Sequence, residues 1–140
     1  MNASPASVLA AAAYWSIALG SAQALAQTCG ADIAGAQRIE SSDYTIVFRT
    51  QPAKIAVGEH FSVEFAACPR ANHPEPTGVT VNARMPEHHH AMNYRPTVKR
   101  TAGRYQADGL MFHMPGRWEI SFGLDADGKK EYLSRSILVK

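Results

Sequence analysis

The residues of this chain most able to do chemistry are histidines and methionines close together in its middle. The segment from Met85 to Met92 holds three imidazoles, at His88, His89 and His90, between two thioethers. Imidazole binds copper, zinc, nickel and iron, whereas a thioether favours copper in its reduced state. A His cluster alone would indicate zinc, and a Met cluster alone would indicate core packing. The mixture predicts a copper site.

Alternation within this segment divides its donors into two sets. If the segment is extended, residues two apart point to the same side, so His88, His90 and Met92 can face one ion while His89 points away. Glu87 can orient an imidazole, although a solvated charge is the preferred interpretation. The alternative for the whole segment is a solvated polar loop, but such a loop has little reason to contain Met.

A second pair of donors, His113 and Met114, follows downstream. Neighbours diverge on a strand, so we expect only one of the two to be a direct ligand. Met85 falls on the inward side of a predicted strand, which favours a core or rim position because Met fills irregular gaps. The expected metal ligands are His88, His90, Met92 and Met114, with His113 and Met85 as substitutes.

The chain begins with an apolar run from Val8 to Leu19, and its first charged side chain is Asp32. The run is shorter than the about 20 residues that span a bilayer. Ala24-Leu25-Ala26 has the small-x-small form of a cleavage site. We therefore predict a signal peptide over residues 1–26 and a periplasmic protein. An uncleaved anchor is the alternative, because no Lys or Arg precedes the apolar run.

The composition of the chain and the motifs that it lacks exclude several classes of function. The remaining residues suffice for one domain with a core. The net charge of +2 and the scattered basic residues give no basis for nucleic-acid binding. The chain has no Gly-x-Ser-x-Gly elbow, phosphate-binding glycine loop or His-Glu-x-x-His helix. We therefore expect neither an enzyme nor a small-molecule substrate.

Two cysteines, Cys29 and Cys68, follow the predicted signal peptide. Exported thiols tend to oxidise, so we predict a disulfide that tethers an irregular lead-in over residues 27–43. A thiolate copper site is the alternative. It is less favoured because both cysteines are far in sequence from the Met and His cluster.

From Tyr44 onward the chain has strand periodicity. Apolar residues at alternate positions predict one inward face at Phe61, Val63, Phe65 and Ala67. Cys68 then lies on the opposite face. About seven such strands, with turns such as Asp127-Gly128, predict an all-β domain over residues 44–140, an immunoglobulin-like sandwich of two antiparallel sheets.

The predicted topology brings the donors together. Alternate loops of such a sandwich lie at the same end. The loops that hold His60, His88–Met92 and the pair His113 and Met114 alternate in this way, so we expect them at one pole. His60 is interpreted as a turn residue. His73 falls at the opposite pole and is excluded as a ligand.

Two segments, from Val81 to Met92 and from Leu110 to Glu119, resemble the YtkA-like domain family, whose members are similar to FixH-like proteins. That family carries a Met-Pro-x-His-Gly-His-Gly-Met loop and a Phe-x-Met-Pro-Gly-x-Trp strand entry. The resemblance covers Tyr44 to Val139. It implies an exported or membrane-tethered immunoglobulin-like domain, commonly near copper handling or respiratory-oxidase assembly.

By position, the family's loop donors fall on Met85, His88, His90 and Met92, and its second motif falls on Met114 to Trp118. His89 and Ala91 stand where the family has glycine. His113 stands where the family is variable.

Together these features predict a periplasmic protein that binds Cu(I) for storage, delivery to a transfer partner or copper tolerance. A His-led Zn(II) or Cu(II) buffer is less favoured. The alternative from another class is a metal-free accessory module that docks onto a membrane-bound oxidase or efflux assembly.

Overall fold

The computed structural model describes residues 29–140, so the predicted signal peptide lies outside the described residues. The described residues form nine strands: β1 (Gln37–Glu40), β2 (Tyr44–Gln51), β3 (His60–Pro69), β4 (Gly78–Met85), β5 (His90–Ala91), β6 (Thr97–Thr101), β7 (Arg104–Met111), β8 (Gly116–Ala126) and β9 (Lys129–Val139). One sheet has the order β1-β2-β3-β7-β6 and the other β5-β4-β8-β9, and the paired strands are antiparallel. The predicted all-β sandwich is confirmed.

Two of these strands are absent from the sequence prediction. β1 lies within the lead-in that was expected to be irregular, where Ile39 pairs with Ile46 of β2. β5 lies within the predicted metal loop and pairs with Arg84 and Met85 of β4. Both strands are too short to show a period of two in the sequence. Pairing with the neighbouring strand, rather than an apolar pattern of their own, holds them in place.

The core follows the predicted alternation. Phe61, Val63, Phe65 and Ala67 are all buried. At the end of the sandwich that carries the histidines, Phe112 stacks on Trp118 with ring centroids 4.5 Å apart. Both rings are fully buried, and burying side chains of this size stabilises the fold by about 1.5 to 3 kcal/mol each. This end of the sandwich is therefore a packed base for the loops above it.

The predicted disulfide is confirmed. Cys29 and Cys68 are bonded, with their Cα atoms 6.0 Å apart. As strand parity predicts, the bridge lies on the outer face of the five-stranded sheet, where Cys29 and Ile33 pack on Val47 and Ala66. This small cluster is separate from the main core and anchors the lead-in. Within residues 29–140, no helix is long and apolar enough to cross a membrane.

Candidate metal site

Three connections meet at one end of the sandwich, as the predicted topology requires. The β2–β3 connection is held there because the Gly58 N–H donates to the Phe112 carbonyl oxygen over 2.8 Å. The β4–β6 connection is held because the Met92 N–H donates to the Ala83 carbonyl oxygen over 2.9 Å. His113 follows Phe112 in the β7–β8 corner. We call the exposed side chains of His88, His90 and His113, with the thioether of Met92, the histidine pole.

The loop after β4 is not the extended segment that alternation predicted. Pro86 to His88 form a single 3₁₀ turn, and His89 follows with a left-handed backbone at φ 52°. Its N–H donates to the Pro86 carbonyl oxygen over 3.4 Å. His is among the few non-glycine residues enriched in this conformation. The extended conformation begins only at His90, in β5.

His88 and His90 nevertheless lie on the same side of this loop. Their ring centroids are 6.1 Å apart and their planes differ by 19°. The left-handed residue between them reverses the chain direction and brings the rings together. The predicted pairing of these two imidazoles is therefore present, although turn geometry rather than strand parity produces it.

His113 lies at the same surface, in the corner between β7 and β8. Its ring centroid lies 6.0 Å from that of His90, and 5.3 Å from that of Trp118, which it meets edge-on. Trp118 is fully buried, and its Nε1–H donates to the Met114 carbonyl oxygen over 3.0 Å. Trp118 therefore fixes the corner that presents His113. The four-residue spacing in Met-Pro-Gly-x-Trp is the sequence signal for this contact.

Met92 links the two loops of the histidine pole from below. Met92 directly follows β5, two residues after His90. Its Sδ atom accepts the N–H of Met111 over 3.4 Å. Met111 lies two residues before His113. Met92 is buried, with 7% of its surface exposed. The thioether of Met92, which alternation groups with His88 and His90, thus contacts the end of β7, the strand that leads to His113.

The other two methionines lie deeper or to the side. Met85 is fully buried, as its inward parity predicts, and its methyl group packs against the backbone of Gly116. Met114 is half-buried and packs on the core. Met85 would have to leave the core to become a ligand, whereas Met114 neighbours His113 and needs a smaller change.

The remaining candidates lie at the ends that the topology predicts. His60 lies at the same end as the histidine pole, but as the first residue of β3, paired with Met111, rather than in the preceding turn. Its ring lies 5.3 Å from that of Tyr94, an aromatic contact that no periodicity indicated. His73 lies at the opposite end, and its Nε2 is 3.2 Å from the Asp43 carboxylate. Glu87 is exposed, and its carboxylate lies 3.7 Å from the Arg117 guanidinium. Glu87 is thus placed to pair with an arginine.

The imidazoles are adjacent but do not yet converge. Within residues 29–140, no three or more His, Cys, Asp or Glu side chains are arranged to hold a metal ion. His88, His90 and His113 are all exposed, so rotation about their side-chain torsions meets little resistance. Imidazole nitrogen and thioether sulfur, the donor types of these residues and of the buried Met92, are those that soft ions prefer.

Comparison with known proteins gives a family match and a structural similarity. A protein-family model described as YtkA-like matches residues 38–123. The crystal structure of a DUF4426 family protein from Pseudomonas aeruginosa PAO1 is similar with a TM-score of 0.51 and 11% sequence identity; the similarity covers 74% of this chain and 96% of that one. At this identity the second match shows the fold alone. None of the curated proteins compared with the chain matches it.

Proposed function

Since the chain belongs to the YtkA-like family, we propose that its histidine pole binds copper(I) as part of copper storage, delivery or tolerance in the periplasm. The observation that carries the proposal is the meeting of His90 and His113, whose ring centroids lie 6.0 Å apart although they come from different loops. Adjacent exposed imidazoles can share an ion through changes of rotamer alone.

The choice of copper(I) rests on sulfur. A thioether sulfur carries two lone pairs, and the N–H of Met111 occupies one of those on Met92. The second remains able to coordinate a soft ion. Thiolates do not compete for this role, because Cys29 and Cys68 are joined in a disulfide on another face of the domain. The donors that remain are imidazole and thioether, the combination that favours Cu(I) over Zn(II).

A surface site suits transfer. The three imidazoles are exposed, so an acceptor can replace the ligands of a bound ion one at a time. The proposal involves no turnover chemistry. A periplasmic location agrees with the disulfide, since disulfides persist in oxidising compartments. Export would be established by the mass of the secreted chain, which should begin at Gln27.

The test is a competition titration of the purified domain against a chromophoric Cu(I) chelator, repeated with Zn(II) and Cu(II). We expect His90→Ala with His113→Ala to lower Cu(I) affinity by at least about tenfold, the scale on which even supporting residues of metal sites act. Met92→Leu keeps the apolar volume and should weaken Cu(I) far more than Zn(II). His73→Ala, an exposed histidine at the opposite end, is the matched control and should change nothing.

Three results would contradict parts of the proposal. Equal losses for all three ions in Met92→Leu would remove the thioether argument and favour a His-led Zn(II) or Cu(II) buffer. Loss of affinity in the His73→Ala control would show nonspecific binding by surface histidines. No uptake of Cu(I) or Ag(I) under reducing conditions would favour the metal-free accessory module for a membrane-bound oxidase or efflux assembly.

A further inference from the structure

Part of β4 is an open sheet edge. On one side β4 pairs with β8 along nearly its whole length. On the other side β5 covers only Arg84 and Met85. Within residues 29–140, no strand pairs with residues 78–83 on this side, so they lie at the edge of the four-stranded sheet. An open edge offers backbone donors and acceptors for pairing with another extended segment.

The direction of these backbone groups follows from one hydrogen bond. The Met92 N–H donates to the Ala83 carbonyl oxygen, so the polar groups of Ala83 point toward the open edge. In an antiparallel ladder the groups of alternate residues point the same way, which places those of Val79 and Val81 on this edge too. The Ala83 N–H is already occupied by the Asn82 Oδ1 atom at 2.8 Å. The groups available for pairing are therefore those of Val79 and Val81.

A groove runs along this edge. Its main part has a volume of about 580 Å³ and lies between β4 and the start of β6, where Arg95, Pro96 and Val98 form one wall. Ser121 and Gly123 of β8 and Tyr132 of β9 extend its lining across the four-stranded sheet. A smaller part of about 190 Å³ adjoins it at Val79 and Val98 and extends to Arg100. Together the two parts are lined by residues 78–82 of β4.

The sequence of the edge does not protect it. Residues 78–83 read Gly-Val-Thr-Val-Asn-Ala, with no charged residue and no proline. Proteins usually block open edges with lysine, proline or a bulge, because an uncharged strand with high β propensity pairs readily with other chains. The absence of these features here favours a binding role for the edge.

The charge around the groove indicates the occupant. Arg95 and Arg100 stand along its wall, and the described residues that line its two parts include no Asp or Glu. Arg100 has a weak ion pair with Glu75 at 3.9 Å and lies over the Tyr105 ring. We propose that this edge binds an acidic, extended segment of a partner protein, which adds a strand to β4 through Val79 and Val81.

Two other occupants fit the charges less well. A second copy paired through β4 would bring Arg95 and Arg100 of both molecules to one interface, and like charges in close contact destabilise it. The chain's own N-terminal segment has no acidic residue before Asp32. An acidic partner segment complements both arginines.

The probe is a labelled hexapeptide of alternating Glu and Val, compared with one of alternating Lys and Val. By fluorescence anisotropy we expect the Glu peptide to bind at least about tenfold more tightly, since charge complementarity sets specificity. Arg95→Glu with Arg100→Glu should reverse this preference. Lys129→Glu with Arg135→Glu, which makes the same charge change at exposed positions on β9, should preserve it.

Backbone NMR locates the binding. The Glu peptide should shift the amide signals of Val79 and Val81 and slow their hydrogen exchange, as expected for new ladder hydrogen bonds. Equal binding of the two peptides, or shifts confined to other surfaces, would overturn the proposal. So would a concentration-dependent dimer of the free protein that protects the same two amides, because the edge would then pair with its own copy.

Discussion

Substitution of Gly116 by alanine should loosen the base of the histidine pole. Gly116 begins β8 with φ +133°, a region that only glycine adopts readily, and a Cβ atom there would lie 2.5 Å from the Met85 Cε atom. Met85 is fully buried, so its methyl group cannot move into solvent. Backbone strain of about 1 to 3 kcal/mol adds to an overpacking cost of about 1 to 3 kcal/mol.

We therefore expect Gly116→Ala to lower the free energy of unfolding by about 2 to 6 kcal/mol, measured by urea denaturation. Gly58→Ala is the matched control. Gly58 lies at the same end of the sandwich with φ +79°, and a Cβ atom there would meet nothing within 4 Å. The free energy of unfolding of that variant should fall only by the cost of a left-handed backbone at a residue with a Cβ atom, about 1 to 2 kcal/mol.

A double-mutant cycle separates the contact from the strain. Met85→Ala alone removes buried volume and should cost about 2 to 5 kcal/mol. In the double variant with Gly116→Ala, the shortened side chain also removes the clash. The free energy of unfolding lost by the double variant should therefore be smaller than the sum of the two single losses by about 1 to 3 kcal/mol. Strict additivity, or a Gly116→Ala variant as stable as wild type, would refute the reasoning.

Two further predictions concern the lead-in and the metal loop. Cys29 and Cys68 are 39 positions apart in the sequence, so loop-closure entropy assigns the disulfide about 4 kcal/mol. Replacing both by serine should lower the free energy of unfolding in urea by up to that amount, and an unchanged midpoint would mean that the bond constrains the unfolded chain little. His89→Gly should raise stability by roughly 0.5 to 1 kcal/mol, because His89 has φ 52°, and should leave Cu(I) affinity unchanged. A clear loss of affinity by titration would identify His89 as a ligand.

Period-two patterns carried most of the fold. Alternation in β3 predicts both the inward residues and the outward position of Cys68, because successive side chains of a strand point to opposite faces and only one face is buried in the core. Alternation also places Met85 in the core. The meeting of the His90 and His113 loops at one end follows instead from the up-and-down order of the predicted strands, which puts alternate loops at the same end.

The finer arrangement of the site was beyond the sequence. Alternation failed at His88 because a 3₁₀ turn and a left-handed residue break the extended geometry on which parity depends. The bond from the Met111 N–H to the Met92 Sδ joins the end of β7 to the connection after β5, 19 positions apart in the sequence, so no local pattern contains it. The role of His89 follows a simpler rule. The resembling family has glycine at this position, and the backbone here adopts a conformation that glycine favours.

The two proposals meet in β4. The end of this strand at Met85 pairs with His90, while the strand before Ala83 forms the open edge. β5 and an added partner strand would therefore lie end to end along one side of β4. A partner docked there would have its own side chains beside the exposed imidazoles, where they could take up a bound ion. The edge would then choose the acceptor, and the histidine pole would supply the ion.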